Sequence, residues 1–353
     1  MIAIIDADLI GRKNHRFPNL ACMKISGYYK KLGHQVILKT DYNDLDQFEK
    51  VFISKVFTDT PIDVNILSMD NVEYGGTGFF FDKAPNLPDE IEHSFPDYHL
   101  YDGVGTAKEY TDYSIGFLTR GCFRKCKFCV NQKYNKVFEH SPLEEFYDSS
   151  RKKICLLDDN FLGCPNWKEL LQQLIDTGKP FKFKQGLDER LLTDEKCEML
   201  FGAKYDGDIT FAFDNIEDYD LIESKLKLIS KYTDKQCMFY VLCGFDKAGL
   251  YDEEFWNMDI VNTFRRIELL INNGHLPYIM RFNKYQESPW KGMYINLARW
   301  CNQQSFLKKK SLYEFCTMDS HKGMSTERYM NEWLRKHPYT DFYFHMKFKK
   351  RGC

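Results

Sequence analysis

Three cysteines stand close together in one short stretch of the chain. Cys122, Cys126 and Cys129 follow an apolar run that ends at Arg120-Gly121, and their spacing is Cys-x₃-Cys-x₂-Cys. A thiolate is a strong ligand for iron, and three thiolates on one loop can converge on one iron–sulfur cluster. Because such clusters usually take four cysteines, three would leave one iron open to another ligand.

The cysteines come directly after a predicted β-strand, Tyr113–Leu118. Five further apolar stretches end in polar residues and predict strands, with helical segments between them: residues 153–157, 181–183, 209–213, 237–242 and 277–280. Strands that alternate with helices argue for a parallel sheet, and ligands bind outside the carboxyl ends of such strands. We therefore expect the polar strand ends to carry the site.

The cysteine spacing, with Phe128 before the last cysteine, resembles the signature of the radical S-adenosylmethionine (SAM) superfamily. The resemblance implies an α/β fold in which the six strands form a partial (β/α)₆ barrel of the TIM type. It also implies a [4Fe–4S] cluster whose open iron chelates the amino and carboxylate groups of SAM. The reduced cluster would cleave SAM to a 5′-deoxyadenosyl radical, which abstracts hydrogen from a substrate that the sequence does not identify. Such an enzyme needs a reductant such as flavodoxin or ferredoxin.

SAM carries charged and hydrogen-bonding groups that need partners inside a buried site. The second strand end carries Asp158, Asp159 and Asn160, at the position where members of the superfamily commonly hold the methionine amino group. The run Asp-Asp-Asn-Phe is similar to the Asp-Asp-x-Phe of cobalamin-type members. The alternative is that these are acidic residues of a surface turn.

The next strand ends supply the remaining candidate contacts. Arg190 could bind the SAM carboxylate through two hydrogen bonds, and Asp188 could accept a hydroxyl, with Gln185 beside them. A structural Asp–Arg pair is the alternative interpretation. Asp214 is assigned to the ribose or the substrate, and Phe128 to the adenine or to the core beneath the cluster.

A zinc site is the main alternative to a cluster at the three cysteines. Zinc usually takes four ligands, and His140 is the nearest downstream histidine, too far along the chain to complete one knuckle. A zinc-dependent nucleic-acid-binding protein is therefore a further hypothesis for the function.

Residues 1–105 predict a separate α/β domain that precedes the barrel. A helix is predicted over 20–32, and strands over 2–5, 36–38, 51–57 and 64–67. This order resembles the cobalamin-binding-type, Rossmann-like domain of many radical SAM proteins. Such domains often carry an Asp-x-His-x-x-Gly loop, but Thr58–Asp63 stands in its place without a histidine. We therefore expect a Rossmann-like domain without cobalamin, and a cobalamin-dependent radical SAM methyltransferase is the alternative.

The composition of the chain indicates its general class and its location in the cell. The chain is 43% hydrophobic and 28% charged, which is typical of a soluble globular protein. No apolar run approaches the roughly 18 residues of a membrane span, and no signal peptide is recognised, so we expect a cytoplasmic protein with reduced thiols and no membrane partner. The barrel is assigned to residues 106–290 and a helical C-terminal extension to 291–353.

The C-terminal extension is basic. Residues 301–353 carry eleven Lys and Arg against five Asp and Glu, although the net charge of the whole chain is −2. A basic segment favours an anionic partner such as nucleic acid or a phosphorylated substrate. A solvated charged surface is the alternative.

Overall fold

A computed structural model describes residues 1–13, 15, 17–104 and 110–351 of the chain. The chain divides into two compact units, residues 1–184 and 185–353. The predicted boundary between residues 105 and 106 lies outside the described residues. The division into domains of residues 1–105, 106–290 and 291–353 therefore stays a prediction.

The first unit begins with a four-stranded parallel sheet in the order β2-β1-β3-β4. Its strands are β1 (Ile2–Asp6), β2 (Val36–Lys39), β3 (Lys50–Ser54) and β4 (Val72–Gly75). The helices of this region are α1 (Ala7–Gly11), α2 (Leu20–Lys31), α3 (Thr77–Phe80) and α4 (Asp89–Glu92). All five residues of β1 are buried, which explains why its first four residues are all apolar. The predicted Rossmann-like sheet is confirmed.

The predicted position of the fourth strand was wrong. Residues 64–67 belong to a short 3₁₀ helix, Val64–Ser68, and the fourth strand follows it. The Asp63 carboxylate accepts a hydrogen bond from the Asn65 amide over 3.0 Å, which starts the turn. No residue of this 3₁₀ helix is buried, so its apolar side chains gain little from joining a sheet.

A second sheet of the first unit carries the cysteine loop. It contains β5 (Tyr113–Gly116), β8 (Lys153–Leu156) and β9 (Phe181–Phe183), which are parallel and lie in that order. Between β5 and β8 the two short strands β6 (Thr119–Arg120) and β7 (Phe138–Glu139) pair antiparallel. Helix α5 (Trp167–Asp176) joins β8 to β9 and buries Leu170, Leu171 and Leu174. These three leucines form one apolar face of the helix, which packs against the core.

The second unit contains the other three predicted strands, β10 (Thr210–Ala212), β11 (Met238–Cys243) and β12 (Leu276–Arg281), again parallel and in that order. Its helices between strands are α6 (Asp194–Gly202), α7 (Tyr219–Ile229) and α8 (Glu253–Asn272). Helix α8 begins directly after Asp252, whose carboxylate caps it by accepting from the Phe255 amide over 2.8 Å. Each unit thus holds a parallel three-stranded sheet, and no closed barrel is formed within either described unit.

The C-terminal extension is helical, as predicted. It comprises α9 (Lys291–Cys301), α10 (Gln304–Leu307), α11 (Leu312–Cys316), α12 (Ser325–Lys336) and α13 (Asp341–Phe344). Trp300 and Trp333 are fully buried, and the indole nitrogen of Trp300 donates to the Lys310 carbonyl oxygen over 2.9 Å. Among the described residues, no helix combines the length and the apolar character that a membrane span requires.

Candidate metal centre

The loop that carries the three cysteines is closed at its base by the β6–β7 pair. The His140 amide adds a hydrogen bond to the Leu118 carbonyl oxygen over 2.8 Å. Gly121, immediately before the first cysteine, has a φ of +88°, and a Cβ atom there would lie 2.4 Å from the Lys136 carbonyl oxygen. Only glycine fits this position, because other residues are strained at a positive φ and their Cβ atom would clash with the Lys136 backbone.

The exposure of the cysteines separates these three from the rest. Of the eleven cysteines among the described residues, eight are buried, and the three that are partly exposed are Cys122, Cys126 and Cys129. Burial raises the pKa of Cys197 to about 11 and that of Cys237 to about 12, which keeps both thiols protonated at neutral pH. The loop thiols are therefore the ones that a metal can reach.

Two of the loop sulfurs accept hydrogen bonds. The Arg124 amide and the Asn160 side-chain nitrogen Nδ2 each lie 3.3 Å from Cys122 Sγ. The Asn131 amide lies 3.4 Å from Cys129 Sγ. N–H donors directed at sulfur stabilise negative charge on it, and such donors tune the reduction potential of iron–sulfur clusters.

The residues that follow β8 hold the beginning of the cysteine loop. Asp158 is 1% exposed, and its carboxylate accepts from the Leu118 amide over 3.3 Å and from both the amide and the hydroxyl of Thr119 over 2.6 Å. Asp159 accepts from the Gly121 amide over 2.7 Å and from Asn131 Nδ2 over 2.6 Å. Burial raises the pKa of Asp158 to about 7, and it raises the pKa of Asp159 as well. Both carboxylates thus contact the loop itself.

Asn160 completes this strand end and has one atom unused. Its side chain is 3% exposed, and its amide oxygen Oδ1 is buried without a hydrogen-bond partner among the described residues. Leaving a buried acceptor unsatisfied is unfavourable, so such atoms often mark the place of a ligand. The orphaned oxygen lies on the side chain that also contacts Cys122.

The donor set fits an iron–sulfur cluster. In a [4Fe–4S] cluster each thiolate binds a different iron, so the three sulfurs surround the cluster instead of meeting at one ion. Three partly exposed thiols on one loop, two of which accept N–H hydrogen bonds, are the kind of donors that such a cluster takes. Within the part of the chain that the structure describes, no three or more His, Cys, Asp and Glu side chains form a group that could hold a metal ion.

The predicted contacts of the second unit form an ion-pair network. Arg190 Nε donates to Asp188 Oδ1 over 2.7 Å, and its terminal nitrogen donates to Asp218 Oδ2 over 3.0 Å. Burial disfavours the charged guanidinium, but the adjacent carboxylates outweigh burial and raise the pKa of Arg190. This geometry is that of the structural Asp–Arg pair. Gln185 is exposed in the turn after β9, and in the first unit Phe128 is partly buried.

Asp214 follows β10. Two residues that the sequence analysis missed, Arg266 and Glu189, form hydrogen bonds with residues at the ends of β10 and β11. Asp214 Oδ1 accepts from the Leu242 amide over 3.1 Å, and burial raises its pKa. Arg266, 2% exposed, donates to the carbonyl oxygens of Phe213, Asp214 and Leu242 over 2.8 to 3.0 Å. An arginine within the apolar stripe of α8 was the signal that could have revealed it.

Glu189 is the second missed residue. Its side chain is 1% exposed, it accepts from the Ala212 amide over 3.0 Å, and burial raises its pKa to about 8. No sequence pattern distinguished it from its neighbours.

The carboxyl end of the N-terminal sheet holds a further polar cluster, at the point where strand order reverses between β1 and β3. The Tyr101 hydroxyl donates to Asp6 Oδ2 over 2.8 Å and accepts from the Asn19 amide over 3.0 Å. Asn19 Nδ2 donates to the Ser54 hydroxyl over 2.9 Å. Such switch points commonly bind ligands, but these buried groups satisfy one another.

Comparison with solved structures shows that this fold is similar to that of a radical SAM methyltransferase. One match is the radical SAM methyltransferase TsrM from Kitasatospora setae with cobalamin and a [4Fe–4S] cluster bound, at a TM-score of 0.52 and 13% identity, over 79% of this chain and 74% of that chain. TsrM with its tryptophan substrate and the SAM analogue aza-SAM matches with the same TM-score and identity, over 72% of its chain. No protein-family model and no curated protein sequence matches the chain. The predicted α/β fold with parallel sheets is confirmed, and the six-stranded partial barrel of the TIM type stays a prediction.

Proposed function

We propose that the protein is a radical SAM enzyme that binds a [4Fe–4S] cluster through Cys122, Cys126 and Cys129. When bound, the cluster would supply one electron to SAM, so that a carbon–sulfur bond breaks to give methionine and a 5′-deoxyadenosyl radical. The radical would then take a hydrogen atom from a substrate, which would yield 5′-deoxyadenosine and a substrate radical. The observation that carries this proposal is the loop of three accessible thiols, with N–H donors on two of its sulfurs.

The chain's own residues would position and shield these reactants. Asp158 and Asp159 fix the backbone of the cysteine loop through the hydrogen bonds that they accept from it. The orphaned oxygen of Asn160 is the acceptor that we assign to the SAM ammonium group. Asp188, Arg190 and Asp214 remain candidates for the carboxylate and the ribose, with Gln185 beside them, and Phe128 for the adenine. Excluding water from such a site protects the radical from side reactions.

Iron content and electron paramagnetic resonance (EPR) test the cluster directly. After anaerobic reconstitution with iron and sulfide, the wild-type protein should bind about four irons per chain and show a reduced [4Fe–4S] signal. Cys126→Ser should lose most of the iron, whereas Cys197→Ser, which alters a buried thiol away from the loop, should retain it. A colourless wild-type protein that binds zinc instead would support the zinc-dependent nucleic-acid-binding alternative.

A cobalamin-dependent methyltransferase is the second candidate, because both similar structures are of a radical SAM methyltransferase and one holds cobalamin. In this chain Val56, Phe57, Phe80 and Phe81 are exposed near the carboxyl ends of β3 and β4, and their apolar faces would suit a large flat ligand. The region of Thr58–Asp63 supplies no histidine, and the Thr60 hydroxyl is bound to Asp8. This region therefore has apolar surface that could contact cobalamin, but residues 58–63 contain no histidine that could bind cobalt.

Absorbance spectroscopy distinguishes the two candidates. Hydroxocobalamin is added to the reconstituted protein, and unbound cobalamin is removed by gel filtration. Retention of cobalamin in proportion to protein would favour the methyltransferase. Its complete loss, together with formation of 5′-deoxyadenosine, would favour the first candidate.

A further inference from the structure

The segment that follows α13 presents a row of basic side chains to solvent. His345, Lys347 and Lys349 are exposed, whereas the two residues between them are partly buried. Alternate side chains of this segment therefore face outward. The Lys349 amide donates to the Ile271 carbonyl oxygen over 3.1 Å, which ties the segment to the end of α8. The row is thus held on the protein by its own backbone and by the residues between its members.

Two side-chain contacts place this row beside α11. The ring centroids of His345 and Tyr313 lie 4.8 Å apart. Lys347 Nζ donates to Glu314 Oε1 over 2.7 Å. Two further lysines come just before α11 in the chain. We call the combined set the basic–aromatic surface, and it consists of Lys309, Lys310, Tyr313, His345, Lys347 and Lys349.

The basic–aromatic surface carries more positive than negative charge. The Glu314 carboxylate accepts from Lys347 and, at its other oxygen, from the Ser311 amide over 2.8 Å. The hydrogen bond from Lys347 lowers the pKa of Glu314, so this carboxylate stays ionised and paired. Asp341 Oδ2 lies 3.6 Å from His345 Nε2. Four lysines face these two carboxylates, and the remaining positive charge attracts polyanions.

Exposed rings distinguish this surface from a simple basic patch. Tyr313 is 39% exposed, and Phe342, three residues before His345, is 55% exposed. The bases of a single strand stack on such rings while its phosphates pair with lysines. An acidic polypeptide would match the charge but has no flat groups to stack on the rings. A helix that lies on a membrane needs a long apolar face, and α13 has only four residues.

From these observations we infer that the basic–aromatic surface binds a single-stranded nucleic acid, with its lysines on the phosphates and with bases stacked on Tyr313 and His345. The inference goes beyond the proposed function and does not depend on a cluster at the cysteine loop. Lysines that pair with phosphates release counterions, so binding weakens as salt is added. For a single strand, the logarithm of the association constant falls by about 0.7 per phosphate contact for each tenfold rise in salt.

Fluorescence anisotropy tests the contribution of the lysines. Labelled single strands of RNA and of DNA, each about 12 nucleotides long, are titrated with the reconstituted full-length protein at a series of NaCl concentrations. Lys309→Gln/Lys349→Gln should bind about tenfold more weakly, and its salt slope should be smaller by about 1.4, because two phosphate contacts are lost. Lys31→Gln/Lys83→Gln removes two exposed lysines of the first unit and should bind like wild type.

A second set of variants tests the stacking of bases. Tyr313→Ala should weaken binding on the order of tenfold without changing the salt slope, because a base loses its ring but no phosphate contact is removed. Tyr313→Phe keeps the ring and should bind like wild type. Tyr339→Ala is the matched control, since Tyr339 is 61% exposed in the same extension but lies outside the basic–aromatic surface.

Several outcomes would overturn the inference. Neither oligonucleotide binds the wild-type protein, or both double-lysine variants bind as tightly as wild type. Equal affinity for polyglutamate would show that the surface recognises negative charge alone. Binding to phosphatidylglycerol vesicles that is lost in Lys309→Gln/Lys349→Gln, with oligonucleotide binding unchanged, would show that the surface contacts a membrane instead. Failure of dithionite-reduced wild type to form 5′-deoxyadenosine would contradict the proposed function and would leave this inference unaffected.

Discussion

The side-chain nitrogen Nδ2 of Asn160 lies 3.3 Å from Cys122 Sγ, although 38 residues separate them along the chain. This contact joins the end of β8 to the first cysteine of the loop. The same amide group has a buried oxygen without a partner among the described residues. Asn160 thus contacts a predicted cluster ligand through its nitrogen and offers its buried oxygen as an acceptor for a further ligand.

Replacing this amide should change the cluster's electronic properties more than its assembly. In Asn160→Leu the N–H donor to Cys122 is lost, so the reduced, more negative cluster is less stabilised and its midpoint potential should become more negative. An EPR-monitored redox titration measures this shift. Asn166→Leu, at an exposed position of the same segment, should leave the potential unchanged. Equal potentials in wild type and Asn160→Leu, at equal iron content, would show that the contact has no such role.

Gly121→Ala should impair the formation of the cluster site. The alanine would have to adopt a positive φ, and its Cβ atom would lie 2.4 Å from the Lys136 carbonyl oxygen. Gly178→Ala is the matched control, because Gly178 also has a positive φ, of +65°, but no atom of the described residues lies within 4 Å of the added Cβ. Both variants should share a backbone cost of about 1–2 kcal/mol. Only Gly121→Ala should also lose iron on reconstitution, and equal iron in the two variants would refute the steric argument.

Glu189 should make stability fall as the pH rises. Its pKa is about 8 in the folded protein against 4.5 for the ordinary carboxyl, so over this interval the folded state holds a proton that the unfolded state has released. The free energy of unfolding should therefore decrease between about pH 4.5 and pH 8 and stop changing on this account above that. Because one pKa unit is worth about 1.4 kcal/mol, the effect should be on the order of several kcal/mol.

Urea denaturation at a series of pH values measures this dependence. Glu189→Gln cannot ionise, yet its amide oxygen can still accept from the Ala212 amide. The variant should lose part of the downward slope, and its stability relative to wild type should rise up to about pH 8 and stay constant above it. Identical slopes for the two proteins would mean that Glu189 ionises normally in the fold.

Arg190→Gln should destabilise the protein by about 1–3 kcal/mol, because it removes the charged group that donates a hydrogen bond to the buried Asp188 carboxylate. Asp188→Asn in the same chain should recover part of that loss, since an uncharged amide needs no counter-ion. Denaturant unfolding of the single and double variants checks the coupling. Strictly additive effects would contradict the ion-pair interpretation. SAM affinity of Arg190→Gln, measured by calorimetry, separately tests the predicted contact with the carboxylate.

Local patterns predicted most of the elements that surround the site. Strand β9 occurs at its predicted residues, and helix α2 ends one residue before the predicted end. Apolar periodicity reflects burial, so it succeeds wherever one face of an element packs against the core. It failed at residues 64–67, where the Asp63 carboxylate binds a nearby amide and favours a turn. It also missed β6 and β7, because two-residue strands are too short to show a period.

The functions of polar strand ends were less predictable than their positions. The sequence marked Asp158 as a candidate ligand-binding residue, but its carboxylate contacts Thr119, which lies 39 residues away in the chain. Whether a carboxylate faces a ligand or a backbone amide depends on tertiary distances that no local spacing encodes. The same reason explains why Glu189 was missed while its neighbour Arg190 was selected.

Anaerobic incubation of the reconstituted protein with SAM and dithionite tests the central claim most directly, with 5′-deoxyadenosine quantified by liquid chromatography and mass spectrometry. The three loop cysteines should support formation of 5′-deoxyadenosine and methionine, and Cys126→Ser should form neither above the background of SAM alone. A wild-type protein with a full complement of reduced cluster that releases no 5′-deoxyadenosine would contradict the proposed reaction.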